Sequence, residues 1–233
     1  MNPILFDLGN TTAKVLDTST NEILRFSKDD FKGFLKEHER RQFFGYASGS
    51  TSLRFDQGQS IRLLKEDDVW PLASKYKSMS TLGMDRWALC NAHFLEGHQS
   101  FLLVTMGTCI TYNVVREGVF LGGAISPGWE MRYEAMNTMT AALPRVQYSE
   151  TSALLGSDTE GSLQAGVDIA LQKEMEAMID DYTATFKLNR VLICGGHSER
   201  LPKPLKNYIF APVNYELHAI RHLYDYYAEN GTL

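Results

Sequence analysis

The chain has 233 residues, 44% of them hydrophobic and 22% charged, with a formal net charge of -5. That length fits one large domain or two small ones, either able to bury a substantial core, and the composition is that of a globular protein. The acidic balance argues against a nucleic-acid partner, which asks for a basic patch, yet leaves room for an anionic substrate at a local cationic site.

The chain opens with a short apolar run, Ile4 to Phe6, followed at once by Asp7. This is too short for a signal-peptide core. A strand is predicted here, then a Gly-Asn-Thr-Thr turn, a second strand through Ala13 and Val15, and a third over Glu22 to Phe26. Asp30 to Arg40 reads as a helix on Phe31, Phe34 and Leu35, and Phe44 to Ser48 as another strand. Gly83-Met84-Asp85-Arg86 precedes a helical stretch to about Leu95. From Phe101 the opening pattern returns: apolar strand to Val104, turn at Gly107-Thr108, return strand Ile110 to Val115, turn at Glu117-Gly118, third strand Val119 to Leu121. Gly9 and Gly107 are the matching glycines. The repetition points to internal duplication and two similar lobes, residues 1–98 and 99–233.

Helix dominates the remainder. Glu130 to Ala142 is one candidate; Glu160 to Phe186 is a longer one, with apolar residues near a 3.6 period. Asn189 to Cys194 reads as a buried strand ending in Gly195-Gly196, and Tyr215 to Tyr227 as a final helix. Strands mixed with helices in this order predict α/β layers. No stretch reaches the ~20 apolar residues of a membrane span. Cys90, Cys109 and Cys194 form no CxxC pair, which argues against a disulfide framework and for a reducing compartment. The expected location is the cytoplasm.

Four glycine turns follow apolar strands. At the first, Asp7 stands beside Gly9, Asn10, Thr11 and Thr12. Glycine admits close backbone approach, successive N–H groups can cradle an anion, and a carboxylate nearby asks for an intervening cation, which suits Mg²⁺–ATP. Gly107-Thr108 with Thr111, the stretch Gly122 to Gly128 leading into a helix, and Gly195-Gly196 invite the same reading. Each alone is more often an ordinary turn than a nucleotide contact; four together in a duplicated chain shift the balance towards a nucleotide. No Walker A sequence or protein-kinase HRD set is present. In Gly83-Met84-Asp85-Arg86, the arginine can grip a carboxylate with two parallel hydrogen bonds and the aspartate can accept a hydroxyl proton, or the aspartate can simply cap a helix. His218 and His222 sit four apart but lack a third ligand in the sequence pattern; His93 and His98 read as structural.

The ordered set DLGNTTAK (Asp7 to Lys14), LGMDRW (Leu82 to Trp87), GTCIT (Gly107 to Thr111), GGAISPG (Gly122 to Gly128) and ICGGH (Ile193 to His197) resembles the motifs of type III pantothenate kinases over nearly the whole chain. The resemblance implies two ribonuclease-H-like lobes of the actin/hexokinase type with the active site in the cleft between them. It implies ATP-dependent phosphorylation of pantothenate, Mg²⁺, a monovalent cation such as K⁺ or NH4⁺, and a homodimer. Carried over, Asp7 organises metal and phosphates with Gly9, Asn10, Thr11 and Lys14 in the same motif. Asp85 is the base, and Arg86, Met84, Gly83 and Tyr76 bind pantothenate. Thr159 reaches it across the dimer interface. Gly107, Thr108 and Thr111 line the phosphate path, and Gly195 and Gly196 flank adenine. The family writes its second-lobe motif DxGT; here that aspartate is Thr105, which offers a hydroxyl to a cation but no charge. Asn113 and His197 also stand where acidic residues are common. These departures keep two alternatives open: a non-catalytic regulatory relative, or a kinase of the same superfamily acting on another small alcohol.

Overall fold

The computed structural model describes residues 2–9, 12–48, 60–201 and 209–233. They form two compact units, one from the chain up to His98 plus Asn214–Leu233, the other Gln99–Val213. The break after His98 falls where the repeat restarts. The final helical segment lies with the first unit, whereas the division at 99–233 groups it with the second.

In the first unit, β1 (Ile4–Leu8), β2 (Thr12–Asp17), β3 (Glu22–Ser27), β4 (Gln42–Ala47) and β5 (Ser60–Leu63) pair in the order β3-β2-β1-β4-β5. The β1–β2 and β2–β3 pairs are antiparallel; β1–β4 and β4–β5 are parallel. Side chains alternate across a strand, so Ile4, Phe6 and Leu8 face one side. There they join Ala13, Val15 and Phe43 under Phe31, Phe34 and Leu35 of α1 (Lys28–Glu37). That helix starts where it does because Ser27 Oγ accepts from the N–H of Asp30 at 3.1 Å, with Asp29 and Asp30 in its first turn, satisfying an orphan donor and complementing the helix dipole. The opposite face carries Leu5, Asp7 and Phe44. Here lie α2 (Met84–Leu95) and α6 (Tyr215–Glu229), packed on each other and, through α6, on β1. Phe44 meets Tyr224 edge-on at 5.3 Å and Tyr227 at 6.0 Å. The tyrosines of the final helix are packing residues.

The second unit repeats this plan. Its strands β6 (Phe101–Met106), β7 (Cys109–Arg116), β8 (Val119–Pro127), β9 (Val191–Cys194) and β10 (Ile209–Phe210) run β10-β9-β6-β7-β8, with the hairpin pairs antiparallel and β6, β9 and β10 parallel. Strand for strand this is the order of the first sheet, as the duplication predicts. One face is covered by α3 (Trp129–Thr138) and a long helix made of α4 (Thr159–Gln164), a π-helical turn at Ala165–Ile169 and α5 (Ala170–Phe186). Trp129, Leu171, Met175 and Ile179 pack there against Val104, Met106 and Tyr112. At the π turn the buried Asp168 accepts from Tyr133 Oη at 2.7 Å, Ser152 Oγ at 2.6 Å and the N–H of Ser149 at 3.1 Å. Two expectations change. The stretch from Gly122 to Pro127 is not a loop but the body of β8, paired residue by residue with β7, so only Gly128 precedes a helix. That helix ends at Thr138, short of the expected Ala142.

Candidate functional site

In the first unit the sheet register builds one cluster. Asp7 on β1 lies opposite Lys14 on β2 and Tyr46 on β4. Lys14 Nζ is 3.1 Å from Glu216 Oε2 at the start of α6, and the two side chains are only 16% and 12% exposed. Asp85 stands in the first turn of α2, two residues after Gly83. A Cβ at Gly83 would lie 2.6 Å from Asp85 Oδ1, so the absence of a side chain there leaves room for the carboxylate. Arg86, next along, is 4% exposed. Met84 opens the helix.

Electrostatics tie these groups together. Burial pushes the Asp7 carboxyl up to about 7; the charges of Glu216 and Asp85 push the same way, while Lys14 and a hydrogen bond from Tyr46 oppose them. Burial also raises Asp85, against the pull of the Arg86 N–H and guanidinium, its own N–H and the Ser48 hydroxyl. Three carboxylates facing Lys14 and Arg86 make a site that a hard cation with oxygen ligands would relieve. The fit to Mg²⁺ therefore rests on the donor set itself. Gly9 closes the adjoining hairpin, its N–H donating to Thr12 O at 2.9 Å; Asn10 and Thr11 lie outside the described residues.

In the second unit a further cluster gathers at the ends of β6 and β9. Gly107 N donates to Cys109 O at 3.0 Å, and Gly128 N to Thr108 O at 3.0 Å. Gly195 has φ +101, and a Cβ there would meet Met106 O at 2.4 Å; only glycine fits such a close, left-handed crossing. His197 N then donates to Met106 O at 3.1 Å. Thus the Gly107-Thr108 turn and the Gly195-Gly196 pair meet beside Met106. Thr105 and Thr111 are cross-strand partners with Oγ1 atoms 2.7 Å apart, and Asn113 Nδ2 donates to Thr111 Oγ1 at 2.9 Å. Thr105 stands in the second sheet where Asp7 stands in the first, two residues before the turn glycine. Tyr76 and Thr159 lie on other elements. Tyr76 is on the segment leading to α2, its N–H donating to Ser74 Oγ at 3.1 Å, and Thr159 is exposed at the first position of α4.

A family model described as type III pantothenate kinase matches residues 50–181, more than half of the chain. The chain belongs to the type III pantothenate kinase family. A family member from Christiangramia forsetii is 34% identical over 240 residues, covering 96% of this chain and 98% of the relative. Among solved structures, a protein assigned to the Baf family of transcriptional activators, from Campylobacter jejuni, superposes with a TM-score of 0.67 at 18% identity, covering 99% and 100% of the two chains. The actin-like MreB5 of Spiroplasma citri, bound to ADP, gives 0.51 at 9% identity, covering 98% and 96%. At these identities the likeness is one of fold, and it is the two-lobed α/β fold of actin-like ATPases and sugar kinases.

Sequence reasoning missed Glu216, Tyr46 and Ser48. Glu216 is 202 residues from Lys14 and no spacing rule links them. Tyr46 was recoverable in principle, because pairing β4 parallel to β1 places it beside Asp7.

Proposed function

We propose that this chain transfers the γ-phosphoryl group of ATP to the primary hydroxyl of pantothenate, giving 4'-phosphopantothenate and ADP, the first step towards coenzyme A. The observation that carries the reading is Asp85: a carboxylate at a helix head, held above its ordinary pKa, beside a buried arginine and coupled to Asp7. A base with a raised pKa takes a hydroxyl proton more readily in the transition state. Asp85 accepts that proton as the oxygen bonds to phosphorus, and the bond to the bridging oxygen of ADP breaks. Arg86 binds the pantothenate carboxylate, with Gly83, Met84 and Tyr76 around it and Thr159 from a second copy. The amides of Gly107 and Thr108 and the hydroxyl of Thr111 steady the phosphates, and Gly195 and Gly196 flank adenine. Asp7, with Gly9, Asn10, Thr11 and Lys14 in the same motif, would hold Mg²⁺, which supplies positive charge against the phosphates. Catalysis of this kind is mostly positioning and charge stabilisation.

The neutral donor set at Thr105 supports a weak dependence on K⁺ or NH4⁺, since its hydroxyl is already engaged with that of Thr111. A homodimer and a cytoplasmic location follow from the family reading; among the described residues no helix is long and apolar enough to cross a membrane.

The test is ADP release with ATP and Mg²⁺, with and without pantothenate, in K⁺, NH4⁺ and Na⁺ buffers. Pantothenate-dependent release is expected, reduced ~10²–10⁴-fold in Asp85→Asn with ATP binding retained. A folded protein that releases no ADP with pantothenate overturns the proposal.

A further inference from the structure

At the other end of α2, on the turn of helix before it stops, the fold assembles a group that the phosphoryl-transfer reading does not use. Gly97 takes φ +93, a conformation open to glycine, and turns His98 back against the helix end. The His93 and His98 rings then sit 4.5 Å apart, tilted by 35°. His93 is fully buried, and its Nδ1 is 2.8 Å from Glu96 Oε2 and 3.1 Å from Tyr215 Oη. Tyr215 Oη in turn donates to Glu96 Oε1 at 3.0 Å, and His222 Nε2 approaches the same oxygen at 3.7 Å. The ligand atoms of His93, Glu96 and His98 all lie within 4.8 Å of one another.

We infer that His93, Glu96 and His98 form a binding site for a divalent transition ion of the zinc class, which ties the end of α2 to the start of α6. Two imidazoles and one carboxylate are borderline donors that suit such an ion over Mg²⁺. With ligand bonds of about 2.0–2.1 Å a tetrahedral ion sets its ligand atoms roughly 3.3 Å apart. The 2.8 Å His93–Glu96 pair opens by about half an ångström to accept it, and the third donor closes by about one and a half ångströms at most. Tyr215 holds the carboxylate from behind, as outer-shell partners do. Glu96 is 24% exposed and His222 50%, which leaves an entry path and room for water as fourth ligand. The site is distinct from the Asp7–Asp85 cluster: His93 is eight positions beyond Asp85 on α2, about 12 Å along the helix. The alternative occupant is a proton shared between His93 and Glu96, giving a lock without metal, and it is an outcome of the test.

The experiment uses the full chain without a histidine tag, stripped with chelator. Cobalt(II) serves as spectroscopic probe and zinc(II) as competitor. One equivalent of cobalt should bind with the visible bands of a tetrahedral nitrogen–oxygen site and be displaced by zinc. Zinc at about a hundred times its dissociation constant should raise Tm by roughly 5–10 °C. His98→Ala and Glu96→Gln should each weaken binding roughly a hundredfold, with Tm in chelator close to that of the parent for the histidine variant. Asp7→Asn should bind cobalt as the parent does. No stoichiometric cobalt, binding unchanged in both site variants, or binding lost in Asp7→Asn overturns the inference.

Discussion

Asp7→Asn should stabilise the protein above neutral pH while abolishing its chemistry. The unfolded Asp7 ionises near 3.8, whereas in the fold it does so at about 7. Between these values the folded chain keeps a proton that the unfolded chain has released. Stability therefore falls as pH rises from 3.8 to about 7, and the loss is complete above that. At about 1.4 kcal/mol per pKa unit the whole loss is about 4 kcal/mol, a ceiling that relaxation and water entry reduce. Asparagine keeps the shape and carries no charge, so it escapes this penalty. The assay is urea unfolding at several pH values between about 4 and 8, in chelator. Changing Trp129 to Phe leaves Trp70 and Trp87 to report on the first unit. The variant should match its parent at the acid end and lead by up to about 4 kcal/mol at the alkaline end. A difference that does not grow with pH, or a variant less stable at pH about 8, refutes the claim that burial and the Glu216 and Asp85 charges strain this carboxylate. Kinase activity at limiting Mg²⁺ should show the complementary trend and rise with pH through about 7, since the cation needs the ionised form.

Glu216→Gln removes a charge that raises Asp7, so the midpoint of the pH–rate profile should move to lower pH; an upward shift would contradict the cluster. Thr105→Asp should increase the ratio of rates in K⁺ and Na⁺, and an unchanged ratio would show that charge at this position does not govern cation use. Gly195→Ala should cost about 1–3 kcal/mol in unfolding free energy, since it forces a side chain into a left-handed conformation against Met106 O. Arg41→Ala should cost about 1.5–3 kcal/mol at neutral pH by removing bonds of 2.8 and 3.2 Å to the Asp17 carboxylate. Arg41, with the Ser19 contacts, holds Asp17 well below the usual carboxylate range. Its contribution is thus present above 3.8 and lost as pH falls towards the folded pKa, and the two proteins should converge in acid.

Much of the plan was legible because it rests on local pattern. Apolar runs broken by glycine turns located both hairpins, and the match of Gly9 to Gly107 anticipated two sheets of one strand order. The place of Asp85 and Arg86 at a helix start was legible because a helix head beside glycine is a local signal. What escaped depends on the third dimension. Glycines from 122 to 128 look like a loop, but at Gly123 a Cβ would lie 1.7 Å from Tyr112 O: the glycine marks tight strand pairing, not a turn. The final helix shows an apolar face, but a face does not say which sheet it covers, and so Glu216 stayed hidden. The short strands β5 and β10, beside stretches with little periodicity, gave no signal of their own. His93 and His98 looked structural because the positive φ at Gly97, which folds one upon the other, cannot be read from spacing.

The way Asn214–Leu233 joins the first unit also bears on how the protein is made. Synthesis delivers the whole of Gln99–Val213 before the helix that covers Leu5, Asp7 and Phe44. The unit that begins the chain is therefore the last that can be completed, and the later, uninterrupted one can finish first. Domains usually mature in the order in which they leave the ribosome; here the first unit lacks its last segment until the second has been made. During that interval one apolar face of the first sheet waits uncovered, a window in which a chaperone would find its substrate and a stalled ribosome would leave an aggregation-prone fragment.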